Sequence, residues 1–271
     1  MNTQLFEKFR GLIFRESGIS LGDDKIQLLT NRVNKRLKAL KIRDPEEYLR
    51  VVELDESGDE LVRLIDVVST NVTYFYREPE HFKRYAEILR QLSADGQREI
   101  RVWCAACSSG EEAYMLSMMA KETLDLSTIN FKLLATDISI RVLEKAVLGL
   151  YDEKQLEKLP DELRSKYFRS IQDQSADIWR VDPALARAIV FKRLNLSSFP
   201  YPLKGGLDMI FCRNVMIYFA IELRQKVIDE FAKLLRPGGY LFLGHSENLL
   251  GIKHDFESKG VSTFRKPDRQ N

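Results

Sequence analysis

RVWCAACSSGEEAY, Arg101–Tyr114, decides how the rest of the chain is read. Small and apolar residues from Val102 to Cys107 suit a strand buried on both faces. Ser108, Ser109 and Gly110 turn the chain, and Glu111 and Glu112 open a helix carrying Met115, Leu116, Met118 and Met119. Acidic residues suit that end of a helix, where unpaired N–H groups concentrate partial positive charge. A strand that passes through small residues into a helix lets a ligand approach the backbone closely. Carboxylates follow the turn where a phosphate site would carry lysine, so the expected ligand has a cationic or hydroxyl-bearing end.

Downstream, strands alternate with helices as in a parallel sheet. Strands are expected at Ile100–Cys107, Phe131–Thr136, Ile189–Leu196, Leu207–Cys212 and Tyr240–Gly244. Asp137 ends the second strand, where an acid accepts both hydroxyls of a ribose. It also suits the N-cap of a helix over Ile140–Ala146, and the two roles are compatible. Asn195-Leu196 end the third strand, and Asn214 and Tyr218 follow the fourth. Ligands of an open parallel sheet bind beyond those carboxyl ends. His245, after the fifth strand, reads as either catalytic or structural, and a strand-end His is more often structural. Residues 149–187 break the rhythm and read as a small insertion with short antiparallel strands. Such an insertion either reads a partner or only stabilises the fold.

Upstream, residues 1 to about 90 read as helices with a linker, leaving 91–271 to the sheet domain. One apolar stripe is Leu5, Phe6, Phe9, Leu12 and Ile13; a second is Ile26, Leu29, Val33, Leu37 and Leu40. The second helix carries Arg32, Lys35, Arg36, Lys38, Lys41 and Arg43 on its other side. That face is either solvated or a docking surface for an acidic helix. In Ser69–Glu80, STNVTYFYREPE, turn-forming polar residues meet Tyr74, Phe75 and Tyr76. The segment is either hinge packing, with Arg77 paired to Glu78 or Glu80, or a functional loop.

The 271 residues carry a net charge of +2, so no overall field demands nucleic acid or membrane. Cys104 and Cys107 form CxxC, but within one strand they would face opposite sides, so a structural role and no metal site are expected. With no signal peptide and no apolar run of about 18 residues, the expected compartment is the cytoplasm, without membrane insertion.

The small turn with GEE, the acid after the second strand and Arg236-Pro-Gly-Gly-Tyr-Leu241 together resemble S-adenosylmethionine-dependent methyltransferases, although the turn lacks G-x-G-x-G. Longer runs narrow the resemblance: Asn71–Glu78, ACSSGEEAY, Ala135-Thr136-Asp137, FCRNVMIYF and LRPGGYLFLGHSE. Over nearly its whole length the chain is similar to the chemotaxis receptor methyltransferases of the CheR type. The resemblance implies an α/β, Rossmann-like methyltransferase with an N-terminal all-helical domain and a small inserted antiparallel β-subdomain. It implies methyl transfer from S-adenosylmethionine, leaving S-adenosylhomocysteine, to glutamates on the helical cytoplasmic part of chemoreceptors. The basic helix at 32–43 and the insertion are then the expected contacts with the receptor. Asn71, Thr73, Arg77, Glu111, Asp137, Asn195, Leu196, Asn214 and Val215 would line the cofactor site. The chain departs from the family at Val72, commonly polar or acidic, and at Ala113, commonly Pro. Val72 is expected to pack while Asn71 and Thr73 serve the site.

A glutamate acceptor is already ionised near neutral pH, so no strong general base is needed. Alignment can contribute on the order of 7–11 kcal/mol. Charge is lost in the transition state, so a tight Arg pair at the attacking oxygen would favour the ground state. The expected catalytic residues are therefore Arg77, anchoring the cofactor or the far oxygen, and Tyr218, orienting the carboxylate. Asp137 would hold the ribose, Glu111 the amino end and the Asn195-Leu196 backbone the adenine edge. Two alternatives remain. One is a nucleic-acid methyltransferase, disfavoured by Arg213-Asn214-Val215-Met216 where a Pro-Pro-aromatic run is usual. The other is a cofactor-binding signalling module without turnover.

Overall fold

A computed structural model describes residues 1–173 and 176–268. Its first part is helical: α1 (Thr3–Ser17), α2 (Ile26–Leu40), α3 (Pro45–Leu54) and α4 (Asp59–Val68). Asn2 caps α1, its side chain accepting from Leu5 N at 2.8 Å. The apolar stripes close on one another, burying Phe9, Leu29, Val33, Tyr48 and Leu64 in one cluster. Two cations of the basic stripe turn inward. Arg36 forms a two-pronged pair with Glu60, both contacts at 2.8 Å, and Tyr48 donates to the same carboxylate at 2.9 Å. Arg32 donates to the carbonyls of Val67, in the last turn of α4, and of Ser69, just beyond it. Lys35, Lys38, Lys41 and Arg43 stay exposed.

Next come α5 (Pro79–Ala94), β1 (Glu99–Ala105), α6 (Glu111–Thr123), β2 (Asn130–Asp137) and α7 (Ile140–Leu148). The chain then forms β3 (Leu150–Asp152), α8 (Glu153–Leu156), α9 (Asp161–Tyr167), β4 (Phe168–Asp173), β5 (Ala176–Val181) and α10 (Pro183–Arg187). It ends with β6 (Ile189–Arg193), β7 (Leu207–Cys212), α11 (Ile221–Leu234), β8 (Leu235–Leu243), β9 (Glu257–Ser258) and β10 (Thr263–Arg265). The main sheet has the order β6-β2-β1-β7-β8-β10-β9. Its first five strands are parallel, and β10 and β9 join antiparallel. β7 is buried at every position, as a central parallel strand covered on both faces must be. Alternation along β1 sends Val102 and Cys104 into the core shared with α5 and α6, and Trp103 and Ala105 into the core under α11. Phe82, Tyr85 and Leu89 of α5 thereby belong to the sheet's core.

The excursion after α7 forms a second sheet, β3-β5-β4, antiparallel throughout. Tyr151, Tyr167, Phe168 and Val181 anchor it to the main core. The chain departs from β1 toward β2 and β6, then returns to β7 on the other side of β1. Strand order reverses there, and a crevice opens beyond the carboxyl ends of the strands.

Two local expectations change. The third strand stops at Arg193, leaving Asn195 and Leu196 in the turn that follows. Cys104 and Cys107 enter the same core cluster, because the strand ends at Ala105 and left-handed backbone at Ala106 (φ 77) reverses the alternation. All three cysteines are buried free thiols whose pKa burial pushes well up. Among the described residues no helix is long and apolar enough to cross a membrane.

Candidate active site

The crevice is a cavity walled by six segments. They are the loop after α4, the turn after β1, the end of β2, the turns after β6 and β7, and the start of the α1–α2 connection. At its floor the chain bends sharply: Ala106 N and Cys107 N both donate to Thr136 O at 2.8 Å. Ala106, Ser108 and Asn214 line the cavity in left-handed backbone, with φ of 77°, 49° and 59°. Such conformations cost about 1–3 kcal/mol each and collect at functional sites. Gly110 closes the turn at φ 98, where a Cβ would lie 2.8 Å from that of Ala146. Only glycine fits between α6 and α7 there.

Asp137 is buried where β2 ends, and it bridges two turns. Its Oδ2 accepts from Ser108 N at 2.8 Å and its Oδ1 from Ser139 N at 3.0 Å. Burial pushes its pKa up, opposed by those N–H groups. Asn71, Thr73, Arg77, Asn195, Leu196, Asn214, Val215 and Tyr218 face the same cavity. Asn71 Nδ2 is buried without a hydrogen-bond partner, a donor left for a ligand. Arg77 pairs with neither Glu78 nor Glu80. Its guanidinium donates to Val72 O at 2.9 Å and stacks over Tyr74 at 5.7 Å. Those two acids go instead to Arg213 and Lys83. Val72 does not pack as expected; it stays 72% exposed at the mouth. The Asn195 side chain is committed to the helical part, donating to Glu16 O and accepting from Ser197. Its contribution to the site is therefore backbone.

Glu111 is the exception. It lies outside the cavity lining, 1% exposed, with its carboxylate held by Ser109 Oγ at 2.8 and 3.0 Å. Burial pushes its pKa up. The acid on the cavity wall is Glu112, one residue later. On a helix the next residue sits about 100° around the axis, which turns Glu112 to the cavity and Glu111 to the inserted subdomain.

Glu112 is held by a group that sequence reasoning passed over. Arg213 is buried at the end of β7, its side chain 1% exposed. It donates from NH1 to Glu112 at 2.6 Å, from Nε and NH2 to Glu78 Oε2 at 3.2 and 2.8 Å, and to Arg77 O. Glu78 also accepts from Asn214 Nδ2 at 3.3 Å and His245 N at 3.2 Å. Burial pushes the Glu78 carboxyl upward, but Arg213 and these donors outweigh it and hold the pKa down at about 2. Burial works against the Arg213 charge, yet its two carboxylates raise its pKa above the ordinary value. A charged residue inside the apolar run FCRNVMIYF was the available signal for this buried network. Glu247 fixes the opposite side, accepting from Gly244 N and Asn214 N at 2.7 Å.

The helical part supplies the outer wall. Ser20 N donates to Tyr218 O at 2.8 Å, Ile19 bridges to Phe219, and Ser17, Ser20, Lys25 and Leu28 line the opening.

These acids, hydroxyls and strained turns suit a cationic, hydroxyl-rich ligand at a strand-order switch. Residues 71–264 match the family described as CheR methyltransferase, SAM binding domain, and residues 4–69 match CheR methyltransferase, all-alpha domain. The chain belongs to the CheR methyltransferase family. The chemotaxis protein methyltransferase of Borreliella burgdorferi is 38% identical over 250 residues, covering 90% of this chain and 87% of that protein. That of Escherichia coli is 37% identical over 259 residues, covering 96% and 89%. The probable chemotaxis protein methyltransferase of Rhizobium etli is 34% identical over 261 residues, covering 94% and 96%. The chain is an S-adenosylmethionine-dependent methyltransferase with an all-helical N-terminal part and a small antiparallel sheet.

The cavity fits that cofactor. An acid ends β2 within reach of a ribose, a second acid stands on the wall for an ammonium, and Asn71 offers an unsatisfied donor.

Proposed function

We propose that this chain methylates glutamate side-chain carboxylates on the helical cytoplasmic part of chemoreceptors, in the cytoplasm, forming glutamyl methyl esters. The observation that carries the reading is the cavity that unites Asn71, Thr73, Arg77, Asp137, Asn214 and Tyr218 at one sheet edge. The bound cofactor supplies an electrophilic methyl group on a sulfonium. Asp137 takes the ribose hydroxyls, and Glu112, in place of Glu111, takes the ammonium end. Arg213 aims Glu112, and itself adds little net charge because two carboxylates offset it. The Asn195-Leu196 backbone meets the adenine edge, with Asn214 and Val215 beside it.

Tyr218 orients the acceptor carboxylate through a single hydrogen bond, and Arg77 anchors the cofactor or the far oxygen. Neither needs to move a proton, because the acceptor is ionised before it binds. A stronger grip on the attacking oxygen would stabilise the ground state at the expense of rate.

The receptor helix meets Lys35, Lys38, Lys41 and Arg43, the exposed cations of the basic stripe, and the antiparallel sheet at 150–181 offers a second contact. The division into parts follows the same reading: a helical unit before residue 70, a sheet unit from Asn71, and an insertion over 149–187. Helix α5, grouped by sequence with the first unit, sides with the second through its core residues.

The test is transfer of radiolabelled methyl from S-adenosylmethionine to purified receptor cytoplasmic fragments. Base-labile counts in protein are the expected result. Base-stable counts, label in nucleic acid instead, or binding without transfer would each refute the reading.

A further inference from the structure

Outside the cavity, at the junction of α5 with the loop after β8, two of the chain's three histidines meet a carboxylate. His81 is buried, its side chain 2% exposed, while His245 is 40% exposed. His81 Nε2 lies 3.0 Å from the Val261 carbonyl. A carbonyl only accepts, so that nitrogen carries the proton and Nδ1 presents a bare lone pair. Nδ1 is buried, has no hydrogen-bond partner, and looks at Glu78 Oε2 from 3.4 Å. Two acceptors facing each other in a buried site need a cation between them. His245 Nε2 approaches the same oxygen at 3.9 Å, and the three atoms all lie within 4.8 Å of one another.

We propose that His81 Nδ1, His245 Nε2 and Glu78 Oε2 bind one divalent transition-metal cation of the zinc class. Tetrahedral bonds of about 2.0–2.1 Å separate ligand atoms by roughly 3.3 Å. The His81–Glu78 separation already matches, and His245 closes the rest by rotating its half-exposed ring. The Val261 carbonyl on the far nitrogen of His81 is the outer contact that metal-bound imidazoles use to fix tautomer and orientation. Nitrogen and oxygen donors without thiolate select zinc, cobalt or nickel over calcium or magnesium. The exposed side of His245 leaves an entry path and a fourth position for water. Arg213 occupies other directions on Glu78 Oε2, and its charge is shared with Glu112. The bound ion would tie the start of α5 to the end of β8.

The measurement is zinc affinity of untagged, chelator-stripped protein against a chromophoric zinc indicator, with cobalt absorption as a second readout. One zinc per chain is expected in the wild type. His245→Ala should weaken it by more than the about 10–100-fold that losing a mere outer contact costs. His254→Ala should bind as the wild type does, since His254 lies elsewhere and accepts from Phe256 N. Circular dichroism of His245→Ala confirms that the half-exposed substitution has left the fold intact. No uptake of zinc, equal affinity in His245→Ala, or a cobalt–thiolate band would overturn the proposal. The readout is metal alone, so it stands or falls independently of methyl transfer.

Discussion

Glu111 and Glu112 show how far apart neighbouring residues can be in role. Glu111 points into the inserted subdomain, and Glu112 stands on the cavity wall in the grip of Arg213. Glu112→Gln should weaken S-adenosylmethionine binding about tenfold to a hundredfold in calorimetry, the value of a charge-assisted hydrogen bond. Glu111→Gln should leave that affinity nearly unchanged, because the amide still reaches Ser109. Arg213→Met strands two half-buried carboxylates, so thermal unfolding should record a loss of about 3–5 kcal/mol. Tyr218→Phe should lower turnover by up to about tenfold with cofactor affinity kept, since only one neutral hydrogen bond goes. Normal turnover would remove Tyr218 from the mechanism. The sequence marked this region well: Asn71, Thr73, Arg77, Asp137, Asn214 and Tyr218 all reach the cavity. It did not separate the adjacent acids, because both suit a helix N-terminus and only helix orientation sets which of them lines the cavity.

At the level of elements, α2 and the turn after it divide the basic stripe by depth. Arg32 and Arg36 hold α4 in place, and Lys35, Lys38, Lys41 and Arg43 remain for a partner. Replacing Lys35 and Lys38 by Gln should shift unfolding by no more than about 0.5 kcal/mol, as exposed substitutions do. The same pair should slow methylation of receptor fragments at low salt, with the difference fading as screening rises. An equal rate at low salt would take the stripe out of receptor docking. Sequence periodicity placed this helix correctly, because the apolar stripe repeats at 3.6 residues. It could not sort inward from outward arginines, since a long side chain reaches a buried partner from a helix flank.

Across the whole molecule, α5, β7 and the loop after β8 are locked together by Glu78, Arg213 and His81. The acid behaviour follows from two depressed pKa values. Burial, then the Arg213 charge, lowers His81 to about 4 from 6.5, so an unfolded chain gains that proton first as pH falls. Stability is lost between about pH 6.5 and 4 on its account. Glu78, held at about 2 against 4.5, loses its contribution from about pH 4.5 downward. Thermal unfolding should therefore fall steadily below pH 6.5, with the upper part of that slope missing in His81→Asn.

Taken by itself, the order of residues determined the parallel strands, the helical stripes and the chemistry gathered after each strand. Those features are local, set by periodicities of two and 3.6 and by turn residues. Tertiary structure decided which of two acids faces the cavity, which arginines are buried, and that residues 17–28 wall a cavity built by residues 68–219. These depend on contacts between segments more than a hundred residues apart, such as Arg213 with Glu112 and Asn195 with Glu16. No window of sequence holds both partners of such a contact, so only the folded chain can pair them.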